Sequence, residues 1–150
     1  MTQGTIIGVI GAGSADDKTL KSAEVIGRLL GKRNALLVCG GLGGVMEAAA
    51  RGAKAEGGTT IGILPQDSTD LANPYIDIPI ATGFGEGRNV IIVRTADALI
   101  AVGGEYGTLS EIAFALKMGK KVIGLRTWNI KGVIQADSEE DAVSRALHDR

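Results

Sequence analysis

The sequence predicts an α/β chain, a doubly wound parallel sheet with helices on both faces, and three observations carry that expectation. Short runs rich in Val, Ile and Leu alternate with segments of helical period. The runs lack the apolar–polar alternation of a half-solvated strand, and glycine clusters follow several of them. Strands buried on both faces read as continuous apolar runs, and a repeated βα order gives a parallel sheet whose crossovers share one hand.

The elements follow in order. The strands are "TIIGVIG" at 5 to 11, "ALLVCGG" at 35 to 41, "TTIGILP" at 59 to 65, "ADALIAVGG" at 96 to 104 and "KVIGL" at 121 to 125. Helices fill about 17 to 32, 44 to 56, 88 to 95 and 108 to 118, with glycines at several ends. Residues 66 to 87 are irregular apart from a short strand around Ile76 to Ile80, and a loop of that length is usually functional or mobile. The tail from Gly132 forms a last strand and a closing helix. There Ser138 and Asp141 have capping-box spacing, and Ala142, Val143, Ala146 and Leu147 make an apolar stripe. His148 falls near the carboxyl end of that helix, where a cation is favoured and catalysis is not implied.

With 150 residues the chain suits one domain spanning 1–150. A net charge of −1 supplies no general basic field, so no nucleic-acid partner is expected and any phosphate recognition must be local. Aromatic residues make up only 3% of the chain, which speaks against base-stacking platforms. Cys39, the only cysteine, reads as a small buried hydrophobe without a disulfide partner. The amino terminus shows no basic leader, and its apolar run is too short for a membrane span, so a cytoplasmic protein with no membrane partner is expected. With one cysteine, one histidine and no ligand spacing among the carboxylates, no metal site is expected either.

The first turn, "GVIGAGSADD", has Gly11 and Gly13 but Asp16 where a dinucleotide fingerprint places its third glycine. The second strand ends in Cys39 and Gly40 rather than in a ribose-binding acid, so NAD binding is not expected. No P-loop signature occurs. An internal echo is more informative: a shift of 64 residues lays Gly40, Gly43 and Glu47 over Gly104, Gly107 and Glu111. Two glycine turns at the carboxyl ends of parallel strands, each opening a helix with unpaired N–H groups, favour a shared anion crevice over mere packing convergence.

Glu111 has two compatible readings. With Thr108 as cap, "TLSE" spells a capping box whose carboxylate bonds back to the cap. The same carboxylate, placed at a crevice, can act as a general acid or base. Arg88 opens a helix, where a cation opposes the dipole unless a phosphate or a neighbouring acid, Glu86 or Glu105, compensates it. Arg94, further along, reads as surface charge. The candidate ligand-binding residues are Gly11, Gly13 and Ser14 of the first turn, Gly40, Gly41, Gly43, Gly44 and Met46 of the second, and Gly104, Tyr106, Gly107 and Thr108 of the third, with Asn89 beside Arg88.

The segments "GGLGGVMEAAARGAKAEGGTTIGILP" and "GFGEGRNVIIVRTADALIAVGGEYGTLSEIAFALKMGKKVIGL" strongly resemble the molybdenum cofactor carrier protein-like family. That family is related to the phosphoribohydrolases that activate cytokinins, often labelled lysine decarboxylase-like. The resemblance covers nearly the whole chain, including Trp128 and "SEEDAV". It implies a Rossmann-like sheet, a homo-oligomer (dimer or tetramer), and a nucleotide or phosphate site. The ligand it implies is a molybdopterin-type cofactor or a nucleoside monophosphate. In the hydrolase relatives an arginine and the glutamate of P-G-G-x-G-T-x-x-E are catalytic, and these positions fall on Arg88 and Glu111. Gly103 stands where that motif has proline, and Glu105 replaces its second glycine. Those departures favour the binding branch, with cleavage of a nucleoside 5′-monophosphate as the alternative and a purely structural oligomer as a third reading.

Overall fold

Continuous apolar strands require cover on both faces, and five helices among the described residues supply it. The computed structural model describes residues 4–148. Its elements are β1 (Ile6–Gly11), α1 (Asp17–Lys32), β2 (Leu36–Cys39), α2 (Val45–Ala55), β3 (Thr60–Leu64), β4 (Ile78–Ala81), α3 (Arg88–Thr95), β5 (Ala98–Val102), α4 (Tyr106–Lys117), β6 (Lys121–Leu125), β7 (Ile134–Gln135) and α5 (Glu139–Leu147), with a 3-10 turn at Gly85–Gly87. The strands form one parallel sheet in the order β4-β3-β2-β1-β5-β6-β7, a Rossmann-like α/β arrangement. The expected short strand becomes β4 at one edge, beginning two residues later than Ile76.

Successive strand side chains serve opposite faces. Val9, Cys39, Ile100 and Val102 pack with α1, α2 and α5, whereas Ile10, Val38, Leu99 and Ala101 pack with α3 and α4. This division follows from topology. Strand order runs outward from β1 to β4, then jumps back across β1 to β5 and continues the other way, so crossovers of one hand must place α3 and α4 on the opposite face, while α5 follows the last strand and returns to the face of α1 and α2.

Helix starts are set by local polar chemistry. Asp16 Oδ1 accepts from Thr19 N at 2.8 Å, and Ser138 Oγ accepts from Asp141 N at 3.0 Å. Asp141 in turn accepts from the backbone N of Asp137 at 2.9 Å, one residue before the position that a regular capping box uses. His148 caps the carboxyl end of α5, and Arg94 is exposed. Among the described residues no helix is long and apolar enough to cross a membrane.

Helices α1 and α2 meet backbone to backbone. A methyl group on Gly27 would overlap the carbonyl of Ala49, and one on Gly52 would overlap the carbonyl of Glu24. Arg28 bridges Glu24 and Glu56 at 3.4 and 3.2 Å, and Arg51 reaches Glu24 at 3.3 Å. These pairs are substantially solvated and contribute alignment more than stability. The tight approach is what small residues permit.

Gly52→Ala tests that contact. Alanine favours an isolated helix by about 1 kcal/mol, but overpacking against a rigid backbone costs about 1–3 kcal/mol, so the variant should be net less stable. Its thermal midpoint should fall by roughly 2–4 °C per kcal/mol lost. A midpoint equal to or above wild type would show that the helices separate freely.

Candidate functional site

In an open parallel sheet, the two strands at which the order reverses send their following chains to opposite faces, and a crevice opens above their carboxyl ends. Here those strands are β1 and β5. A crevice of about 470 Å³ lies there. The turn after β1 contributes Gly11, Ala12, Gly13 and Ser14; the turn after β2 contributes Gly40, Leu42 and Met46; and Pro65 follows β3. Glu86, Arg88 and Asn89 enter from the start of α3, with Glu105, Gly107, Thr108 and Glu111 from the start of α4.

The walls are joined by backbone contacts. Gly44, at φ +63°, lies so close to the Ala12–Gly13 backbone that any side chain would collide with it, and Val45 N donates to Ala12 O at 3.0 Å. From the irregular segment after β3, Asn73 N donates to Gly41 O at 2.9 Å and Asn73 Nδ2 to Leu42 O at 2.8 Å. Asn73 is itself buried.

Arg88 lies against the second turn. A Cβ on Gly40 would stand 2.6 Å from Met46 Sδ and 2.7 Å from Arg88 Nη2, so only glycine leaves room for the guanidinium. Arg88 Nη2 donates to Gly40 O at 3.4 Å and Nη1 to Asn89 Oδ1, while its Nε is buried and has no hydrogen-bond partner among the described residues. Burial lowers the pKa of Arg88 from its ordinary value, and the charges of Glu111, Cys39 and Glu86 oppose that shift.

Glu111 faces the same space and is only 6% exposed. Burial pushes its carboxyl up to about 7, against the pull of Arg88. Among the described residues the two form no direct ion pair within 4.0 Å. The crevice therefore holds a carboxyl that can exchange a proton near neutrality beside a cation whose hydrogen-bonding capacity is unfilled. Cys39 is a poor nucleophile, because burial pushes its thiol up to about 11.

Of the residues singled out from sequence, Gly11, Gly13, Ser14, Gly40, Met46, Arg88, Asn89, Gly107, Thr108 and Glu111 line the crevice. Gly41, Gly43, Gly44, Gly104 and Tyr106 do not. Gly41 and Gly44 hold the turn that carries Gly40, whereas Gly104 floors a neighbouring groove. The capping-box reading of "TLSE" is overturned. Helix α4 begins at Tyr106 with Glu105 as cap, so Thr108 already sits inside the first turn, buried against Gly104, and Glu111 lies in the second turn facing Arg88. The echo of the two turns is likewise inexact, since Glu47 occupies the first turn of α2 and stays outside the crevice. Leu42, Pro65 and Asn73 were not singled out; their signals, a residue between glycine pairs, a strand-ending proline and an Asn-Pro pair, are common in any loop.

A model of the SLOG cluster4 family (LDcluster4) matches residues 4–149. An uncharacterized protein of Archaeoglobus fulgidus is 52% identical over 142 residues, covering 94% of this chain and 93% of that one. Among solved structures, the molybdenum cofactor binding protein from Rippkaea orientalis superposes with a TM-score of 0.92 at 39% identity, covering 97% and 96% of the two chains. The molybdenum cofactor carrier protein from Chlamydomonas reinhardtii gives 0.88 at 34% identity, covering 95% and 96%.

Burial of Glu111 has a stability signature. A carboxyl whose folded-state pKa lies near 7 rather than at its ordinary 4.5 favours the fold while protonated, and that advantage is lost as pH rises from about 4.5 through 7. Glu111→Gln should remove this dependence and raise stability at pH 8 by an amount on the order of 2 kcal/mol. Equal slopes of melting temperature against pH for the two proteins would refute the assignment.

Proposed function

Because the chain belongs to the SLOG cluster4 family, with cofactor-binding proteins among its structural neighbours, we propose that it binds and carries a phosphorylated small molecule in the crevice between the glycine turns. The ligand is a molybdopterin-type cofactor or a nucleotide. The observation that supports this most strongly is Arg88. A guanidinium at a helix amino terminus is opposed by the dipole, and here it is also half-buried beside a carboxyl that is partly neutral at pH 7, with its Nε lacking an acceptor. A phosphate oxygen on the Nη side of the guanidinium answers the first two, since the Nε is itself closed off from the crevice. Of the first-turn N–H groups, that of Val45 is taken by Ala12 O, and those of Met46 in α2 and of Gly107 and Thr108 in α4 extend the anion-binding surface, as helix amino termini do.

The proposal includes a single domain, a dimer or tetramer, a cytoplasmic location, and no nucleic-acid or membrane partner. The site is small and local, and net charge of −1 provides no wider attraction for a polyanion.

Calorimetric titration with guanosine 5′-monophosphate, molybdopterin cofactor and a single-stranded oligonucleotide tests this reading. At least one of the two small ligands should bind and raise the melting temperature, and the oligonucleotide should not. Arg88→Ala removes hydrogen bonds to a charged group worth about 1.5–3 kcal/mol, so affinity should drop roughly tenfold to a hundredfold. Unchanged affinity in that variant would sink the assignment of Arg88, and silence from both small ligands would sink the binding function.

A second reading is favoured by Glu111, whose proton can be given or taken near neutral pH within the same crevice. It is hydrolysis of the N-glycosidic bond of a nucleoside 5′-monophosphate, with Arg88 holding the substrate and Glu111 stabilising the ribose or positioning water. Chromatography of the reaction should then show free base from wild type and at least a hundredfold less from Glu111→Ala. Release that is no faster than in the variant excludes turnover.

A further inference from the structure

A second groove adjoins the crevice. It has a volume of about 480 Å³ and is bounded by the bare backbone of Gly103 and Gly104 on one side and by Arg126, Thr127 and Trp128 on the other. Glu105 lines both spaces and is the residue they share, so the two lie side by side. Gly103 and Gly104 have φ of +58° and +111°, a conformation that keeps side chains off this wall.

The opposite wall is held in place before any ligand arrives. Trp128 Nε1 donates to Glu105 O at 3.1 Å, and Thr127 Oγ1 donates to Gly103 O. Arg126, a non-glycine residue at φ +52°, is tied down by Ser22 Oγ and by Glu139 at 3.7 Å. Tyr106 stacks on Trp128, with ring centroids 6.0 Å apart and planes inclined by 27°. Yet Tyr106 is 80% exposed, more than any other large apolar residue described.

The chain has one Trp, two Tyr and two Phe in 150 residues. Scarcity argues against a long array of stacking rings, but it makes the placement of these two informative. The sole tryptophan and one tyrosine form a partly solvated pair at the ligand end of the sheet rather than packing inside it. Aromatic faces fixed beside an anion site are suited to a planar ring carried by the same ligand.

We propose that the groove beside Trp128 receives the fused planar heterocycle, purine or pterin, of a ligand whose phosphate lies against Arg88, the ligand passing over Glu105. This rests on the phosphate reading of the crevice. The chemistry is shared by nucleotides and pterin phosphates: a flat, polarisable ring for the indole of Trp128, on which Tyr106 packs, and hydrogen-bond donors for the carboxylate of Glu105. Because hydrogen bonds already fix the indole, little ordering is required when a ring binds.

Trp128 reports directly on its own groove, since no other tryptophan contributes emission. Wild type and Tyr106→Ala are titrated with ribose 5-phosphate, guanosine 5′-monophosphate and a hydroxymethylpterin phosphate, with calorimetry for affinity and tryptophan emission for contact. Ribose 5-phosphate should bind without changing the emission. At least one ring-bearing ligand should bind roughly tenfold tighter and quench Trp128, and the one that does so identifies the ring. Tyr106→Ala should lose most of that gain while keeping its affinity for ribose 5-phosphate. Equal affinities with unchanged emission overturn the ring subsite and leave the phosphate site standing, whereas failure of ribose 5-phosphate to bind, with the ring ligands, removes the phosphate reading itself. Emission that shifts with protein concentration alone assigns the pair to self-association and overturns the proposal.

Discussion

The reversal of strand order at β1 is the constraint on which the rest of the molecule depends. Parallel strands joined by crossovers of one hand must send the crossover helices α1 and α2 to one face and α3 and α4 to the other. The chains leaving β1 and β5 therefore diverge, and the space between them cannot be closed by either set of helices. Apolar side chains occupy nearly all the interior, while Arg88, Asn89 and Glu111 converge on this opening. Its polarity and its position share one origin.

Charge inside the opening is arranged economically. Ionised groups removed from water normally require a close opposite charge. Arg88 and Glu111 sense each other without a direct pair, and burial biases both towards their neutral forms. Such a site is under-compensated when empty, and it favours a ligand that brings negative charge and oxygen acceptors with it. The same feature explains why one carboxyl can be near half-protonation at neutral pH without any histidine nearby.

Much of this was legible in the chain. Helices α1 and α3 begin and end where periodicity and end signals put them, because Asp16 caps the first and the 3-10 turn delivers Arg88 to the second. Arg88 stood out because a cation at a helix amino terminus goes against the dipole. Helix α4 was read as starting at Thr108, since a threonine three residues before a glutamate has the spacing of a cap. The left-handed pair Gly103–Gly104 completes the turn earlier, and Thr108 spends its side chain on packing. Asn73 and Trp128 were beyond reach for a different reason. The acceptors that tie them to the site, Leu42 O for Asn73 Nδ2 and Glu105 O for Trp128 Nε1, are 31 and 23 residues away, and no local pattern announces such a pairing.

The close contact at Gly27 and Gly52 bears on how proteins of this architecture can diversify. With no side chain between them, α1 and α2 behave as one rigid block, and the turn that begins α2 is further bolted to the first turn through Val45 and Ala12. Repositioning that wall would require moving two helices and a strand end together. Ligand choice is thus free to drift only on the opposite bank, where Glu86, Glu105 and Tyr106 are exposed and replaceable. One half of the cleft acts as an anvil, and the other is the part that evolution or an engineer can reshape.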